Sequence, residues 1–171
     1  MTIFLIDANC LITAHNHYYP TNRVPEYWAW IAHHAKAGRL KMPVEIYEEI
    51  AVGMNDAEKD LLFGWIKSTG IKNDLVLGEE CDLESVQNIL LNGYAADLTE
   101  IELAKIGRDP FLIAYGRADP AGRCVVTHEQ SAKDAKRSKR KIPDVCAQFD
   151  VPCCSFWQLL RKLDFKTSWA A

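Results

Sequence analysis

Asp7, Asp109, Glu129 and one of Glu48 and Glu49 are the side chains of this sequence best suited to do chemistry together. Asp7 ends the apolar run Ile3-Phe4-Leu5-Ile6, which reads as a strand buried on both faces. In open α/β sheets ligands bind in the crevice outside the carboxyl ends of the strands. Asp7 therefore stands at the mouth of a site, with Asn9 beside it as a second oxygen donor. Glu129 follows a second short apolar strand, Cys124-Val125-Val126-Thr127, at its carboxyl end. Asp109 begins a helix, and helices of this fold class begin near those same strand ends. Glu48 and Glu49 lie on a helix opened by Pro43. Carboxylates gathered without cations repel one another and raise one another's pKa. A divalent cation relieves that repulsion, and all-oxygen ligation suits Mg²⁺ or Mn²⁺ rather than zinc. Carboxylate-held ions of this kind serve phosphodiester hydrolysis, where they acidify water and stabilise developing charge.

Each acid also has a purely structural explanation. Asp109 precedes Pro110, a strong helix start, and taken alone capping is its favoured role. Glu48 and Glu49 fit a solvated helix face, and Glu129 fits the start of a turn. Asp144, after Pro143, reads as an N-cap first and a site residue second. Asp7 is the hardest to explain away, because it follows a buried run directly. Asn9, Thr127 and Asp144 form a second tier around the acids, with whichever of Glu48 and Glu49 does not belong to the site. Helix geometry places Glu48, at ~100° per residue, nearer the apolar stripe of Val44, Tyr47 and Ala51 than Glu49.

The elements that must position these residues follow from period and punctuation. Cys10 to Asn16 gives a short helical turn and Tyr18-Tyr19-Pro20 a loop. Pro25 opens a helix whose apolar face is Tyr27, Trp28, Trp30 and Ile31, and Gly38 ends it. These aromatics recur at helical spacing, so core packing is preferred to a base-stacking platform. Leu40-Lys41-Met42 is a short strand. The helix after Pro43 closes at Gly53, and another runs from about Asp56 to Thr69, with Gly70 as its cap. Ile71 to Leu77 reads as a strand or an extended connection. Asp82 caps a helix that ends near Gly93, and Thr99 with Glu102 forms a capping box for a helix that stops at Gly107. Pro143-Asp144 opens a further helix. Val151 to Ser155 is the last strand, and Phe156 to Leu160 a closing helix. Strands alternating with helices imply a parallel sheet covered on both faces.

The 171 residues suit one domain, residues 1–171, and 49% hydrophobic with 25% charged residues is ordinary globular composition. No apolar run reaches the length of a membrane span, and the N-terminus lacks the basic leader and apolar length of a signal peptide. The expected location is the cytoplasm. Six cysteines form no C-x-x-C pair, so buried free thiols are expected rather than a zinc site. His15 with His17 and His33 with His34 lack the spacing that puts two ligands on one helix face.

The motifs, taken in order, bear a resemblance. Asp7-Ala8-Asn9 after a short strand resembles the opening of the PIN domain, the nuclease fold of VapC-type toxins. Met42 to Gly53 (MPVEIYEEIAVG) is similar to the helix with that family's second acid, and Asp109 with Leu112-Ile113-Ala114 to its third-acid segment. Val125 to Glu129 resembles the strand and turn of its fourth. With Ile142-Pro143-Asp144-Val145-Cys146, the order covers nearly the whole chain and resembles a less characterised VapC-like branch. The fourth position is commonly Asp after Thr-Arg, whereas here Glu129 follows His128. The resemblance implies a three-layer α/β/α domain with a short central parallel sheet. It also implies a Mg²⁺- or Mn²⁺-dependent ribonuclease, expected to be an endonuclease, with Asp7, Glu49, Asp109 and Glu129 as catalytic metal ligands. By resemblance the second acid is Glu49, with Glu48 as the alternative. It further implies the toxin of a toxin–antitoxin pair, an antitoxin protein as partner, and a homodimer.

The net charge is −3, yet Lys133 to Lys141 (KDAKRSKRK) holds six bases and one acid. A basic segment on an otherwise acidic chain is a local electrostatic device. Lys133, Lys136, Arg137, Lys139, Arg140 and Lys141 are expected to contact RNA phosphates beside the site, with affinity that falls as salt rises. A solvated loop without a partner is the competing reading. Two other functions stand against the nuclease. A catalytically decayed fold would serve as an RNA- or protein-binding module, for which Glu129 at the fourth position is the motive. A phospho-receiver domain would need two adjacent acids after the first strand and a Lys after the last, and the last strand here gives Cys153-Cys154-Ser155.

Overall fold

The computed structural model describes residues 1–51, 61–68 and 70–170. Among these residues, four parallel strands make one sheet in the order β2-β1-β3-β4, where β1 is Ile3–Ile6, β2 Leu40–Lys41, β3 Arg123–Thr127 and β4 Cys153–Ser155. Phe4 lies opposite Leu40 and Cys124, and Val125 opposite Cys153, so β1 and β3 form the centre. The apolar run Phe4-Leu5-Ile6 is buried, as are all residues of β3, which is why neither strand alternates polar and apolar positions. Helices cover the sheet in a three-layer α/β/α arrangement, the class expected from the alternating pattern.

Two helices carry the site. The first, α3 (Val44–Ala51), follows Pro43 and buries Ile46, Tyr47 and Ile50. The other, α8 (Asp109–Ala118), buries Leu112 to Gly116 and packs on β1 and β3. Gly116 permits that seat. A Cβ built there would lie 2.7 Å from Val151 Cγ1 and 2.9 Å from Val125 Cγ2. Any larger residue would push α8, and Asp109 with it, off the sheet.

Several elements depart from the sequence pattern. The first helix, α1 (Ala8–Thr13), starts directly after Asp7 rather than at Cys10, and continues as a wider π-helical turn, Ala14–Tyr18. Ile71 to Leu77 is not a strand. Ile71–Leu75 is a short helix that buries Ile71 and Leu75 at i, i+4, after Gly70 at φ 92, and only Val76 pairs with Met42. The helix from Asp82 is α-helical over Leu83–Asn88 and π-helical over Ile89–Tyr94. Asp82 caps it as expected, accepting from the N–H groups of Glu84 and Ser85. Thr99 and Glu102 form their capping box for α7 (Glu100–Ile106). A second box, Ser155 with Gln158, starts α10 (Phe156–Lys162) and lies beyond the sequence expectation. Of the helix expected over Asp56 to Thr69, Leu61–Lys67 is described. Gly53 and both expected ends, Asp56 and Thr69, lie outside the described residues.

Tyr27, Trp28, Trp30 and Ile31 are core, as their spacing implies. All six cysteines are free, and Cys10, Cys124, Cys146 and Cys154 are buried. No helix among the described residues is long and apolar enough to cross a membrane.

Candidate active site

Asp7 is 2% exposed at the carboxyl end of β1. Its backbone N–H donates to Val126 O at 3.0 Å, which fixes it to the end of β3. The buried Thr127 hydroxyl donates to Asp7 Oδ2 at 3.0 Å and accepts the Glu129 N–H at 3.1 Å. One side chain thus ties the first acid to the turn that carries the fourth. Burial pushes the Asp7 carboxyl up to about 6, with the charges of Glu49 and Glu129 adding to it. The Thr127 hydroxyl and the Asn9 backbone N–H pull the other way. Asn9 itself is exposed.

Asp109 does not cap its helix, contrary to its favoured local role. The cap position falls on Arg108, Asp109 is the first helical residue, and its side chain makes no capping bond. Burial pushes Asp109 up to about 8, and Asp7, Glu129 and Glu49 each add to the rise while Lys141 opposes it. Three acids from three other parts of the chain therefore act on this one carboxyl.

The two adjacent glutamates part company. Glu48 Oε2 pairs with Arg108 Nη1 at 2.6 Å on the exposed side. Glu49 turns towards the start of α8, where a Cβ built on Gly107 would lie 3.7 Å from its Oε1. Loss of water raises the Glu49 carboxyl, against the Arg108 guanidinium and backbone N–H, which lower it. Of the pair, Glu49 is the one whose charge acts on Asp7 and Asp109.

Glu129 belongs to the cluster but is held. Lys141 Nζ pairs with its Oε1 at 2.7 Å, and the Ile142 N–H donates to its Oε2 at 2.8 Å. Asp144 stands apart from the acids and is not an N-cap, since Lys141 takes that position before α9 (Ile142–Gln148). Its carboxylate accepts from the Ser131 hydroxyl and, at 2.8 Å, from the Ala132 N–H, so it shapes the loop after Glu129.

Half of the basic segment is engaged within the protein. Arg137 bonds both Glu102 oxygens, at 2.7 and 2.8 Å, and Asp97 Oδ1 at 2.6 Å. Arg140 bonds the Gly93 carbonyl and Gln148 Oε1, and Lys141 holds Glu129. Lys133, Lys136 and Lys139 are exposed.

Sequence reasoning missed Tyr94. It is 7% exposed, and its buried hydroxyl has no hydrogen-bond partner among the described residues. Burial raises it, and Asp109 and Glu129 are the charges that act on it most. Arg108 was likewise unmarked, because a lone arginine before Asp-Pro carries no local signal of an ion pair across 60 residues.

Among the described residues, no group of three or more Asp, Glu, His or Cys side chains is spaced to hold a metal ion. The chemistry of the donors is that of a hard-cation site. Asp7, Glu49 and Asp109 offer oxygen donors alone, and their mutual repulsion in partial burial is what such an ion relieves.

Residues 4–167 match the model of one protein family, described as a domain of unknown function, DUF4411. No curated protein matches the chain, and no solved structure does.

Proposed function

The chain belongs to the DUF4411 family, and we propose that it is a Mg²⁺- or Mn²⁺-dependent ribonuclease that cuts single-stranded RNA internally. The observation that carries this reading is the gathering of acids from separate parts of the chain around Asp109: burial pushes its carboxyl up to about 8, and Asp7, Glu129 and Glu49 add to the rise. Asp7, Glu49 and Asp109 would hold the ion, and Glu129 would support it from beside Lys141. When bound, the ion supplies charge stabilisation at the scissile phosphate and a more acidic water. Thr127 fixes the orientation of Asp7, and Lys141 limits the negative charge that an incoming phosphate meets at Glu129. Tyr94, whose buried hydroxyl feels the charges of Asp109 and Glu129, would donate a hydrogen bond to a water of the site. Exposed Lys133, Lys136 and Lys139 would guide the RNA backbone.

The resemblance to VapC-type toxins extends the proposal. The protein would act in the cytoplasm as the toxin of a toxin–antitoxin pair, restrained by an antitoxin protein, and as a homodimer.

A second reading has one specific observation in its favour. Glu129 is occupied by Lys141 and the Ile142 N–H, as it would be in a fold that retains RNA or protein binding without cleavage. The test is cleavage of varied single-stranded RNAs with Mn²⁺ or Mg²⁺. The nuclease reading expects metal-dependent cuts, lost in a folded Asp7→Asn variant. No cleavage by the wild type under any of these conditions leaves the binding module.

A further inference from the structure

Beside the acids lies a group of aromatic rings that the metal site does not use. His128 stands between Thr127, which bonds Asp7, and Glu129. Its ring packs on the buried Phe156, with centroids 4.5 Å apart, and its Nε2 is buried without a partner among the described residues. On this base sit two rings that remain open to solvent. Tyr18 is 48% exposed and Trp157 38% exposed. Tyr18 stacks on His128 at 6.2 Å and 19°, and meets Trp157 edge-on at 4.9 Å and 80°. Three segments distant in sequence, the end of the π-helical turn, the turn after β3 and the start of α10, therefore build one shelf.

The shelf adjoins the turn that carries Glu129. A hollow of about 350 Å³ is walled by Thr127, Ser155, Gln158, Arg161 and, of the four acids, Glu129 alone. Arg161 also lines the adjoining hollow of about 420 Å³, together with Trp157. Arg161 is exposed and lines both the hollow of Glu129 and that of Trp157, where Asp164, paired with Lys166, is the accompanying carboxylate. A cation flanked by open aromatic faces matches a nucleotide, with phosphate on the guanidinium and base on the rings. Stacking of this kind accepts any base, and it requires that the base be unpaired.

We propose that Tyr18 and Trp157, seated on His128 and Phe156, form a stacking shelf for an unpaired base that flanks the cut, with Arg161 on the phosphate between. The proposal rests on the ribonuclease reading for its ligand and restricts that reading to single-stranded RNA.

The test separates the two. A single-stranded RNA oligonucleotide with internal 2-aminopurine is titrated with the full-length protein in EDTA, so that binding is read without cleavage. The expected result is quenching of the 2-aminopurine on binding. Tyr18→Ala and Trp157→Ala should each weaken affinity by about tenfold or more, Tyr18→Phe and Trp157→Phe should stay near wild type, and duplex RNA should compete poorly. Both positions are open to solvent, and far-ultraviolet circular dichroism checks the fold of each variant. Wild-type affinity and quenching in both alanine variants overturn the shelf. So do equal losses in the phenylalanine variants, equal binding of duplex, or no binding of single strands at all. Cleavage with Mn²⁺ is assayed separately. A wild type that binds as described yet cuts nothing refutes the nuclease and leaves the shelf standing.

Discussion

Thr127 and Asp7, 120 positions apart, meet at 3.0 Å, the buried hydroxyl donating to the carboxylate. The same oxygen accepts the Glu129 N–H, so Thr127 fixes both the rotamer of the first acid and the path of the turn behind it. Thr127→Val keeps the shape and removes both bonds. Cleavage should fall by roughly 10–100-fold, the usual cost of losing a partner that orients a metal ligand. Single-turnover kinetics at saturating Mn²⁺ provide the check, with the KM for RNA little changed.

Glu48 and Glu49 give opposite expectations. Glu48 forms an exposed pair with Arg108, and such pairs contribute about 0–1 kcal/mol. Glu48→Gln should leave cleavage within about twofold, because a loss of that size barely disturbs the site. Glu49→Gln removes a donor from the cluster, and cleavage should become undetectable. Parallel assays of the two variants decide which glutamate belongs to the site.

The raised acids make a pH dependence. Asp7 goes from 3.8 up to about 6, and Asp109 from 3.8 up to about 8, chiefly through burial. The folded protein holds these protons more tightly than the unfolded chain. Their stabilisation is complete below about 3.8 and is lost as pH rises through about 6 and then about 8. In EDTA, the urea midpoint should therefore be lower at pH 9 than at pH 5. Asp109→Asn should remove the later part of the fall. Mn²⁺ at pH 8 should restore the wild-type midpoint, since the ion binds the ionised acids of the folded state.

Part of this was legible in the chain and part was hidden. Asp7 was readable because a buried run leads straight into it, and a charge there needs a reason. Asp109 was obscured by its own neighbour, since Asp-Pro is a local capping signature. Only the fold reveals that Arg108 takes the cap and that the Asp109 carboxyl lies among other acids. The choice between Glu48 and Glu49 turned on Arg108, a partner 60 residues away, which no helix wheel contains. Tyr94 had no pattern around it. The aromatics of the Pro25 helix announce core by their spacing, while Tyr18 and Trp157 carry no such signal because each sits beside one aromatic neighbour with no helical period. Ile71 to Leu77 is short, a length at which strand and helix cannot be separated by period.

The basic segment divides into two kinds of residue. Arg137 is bound to Glu102 and Asp97, so Arg137→Gln should lower the thermal midpoint and leave the salt dependence of RNA binding unchanged. Replacing Lys133, Lys136 and Lys139 by Gln should leave the thermal midpoint near wild type. The slope of log affinity against log salt should become shallower by about 0.7 for each RNA phosphate that is no longer neutralised. Binding isotherms over a salt series separate the two effects.

The central claim is that Asp7, Glu49 and Asp109 share one divalent cation. Isothermal titration of the folded protein with Mn²⁺ at pH 8, in two buffers of different ionisation enthalpy, tests it most directly. The account expects saturable binding with release of protons, abolished by Asp7→Asn and by Asp109→Asn in variants that remain folded. Absence of saturable binding, or equal binding by both variants, would contradict it.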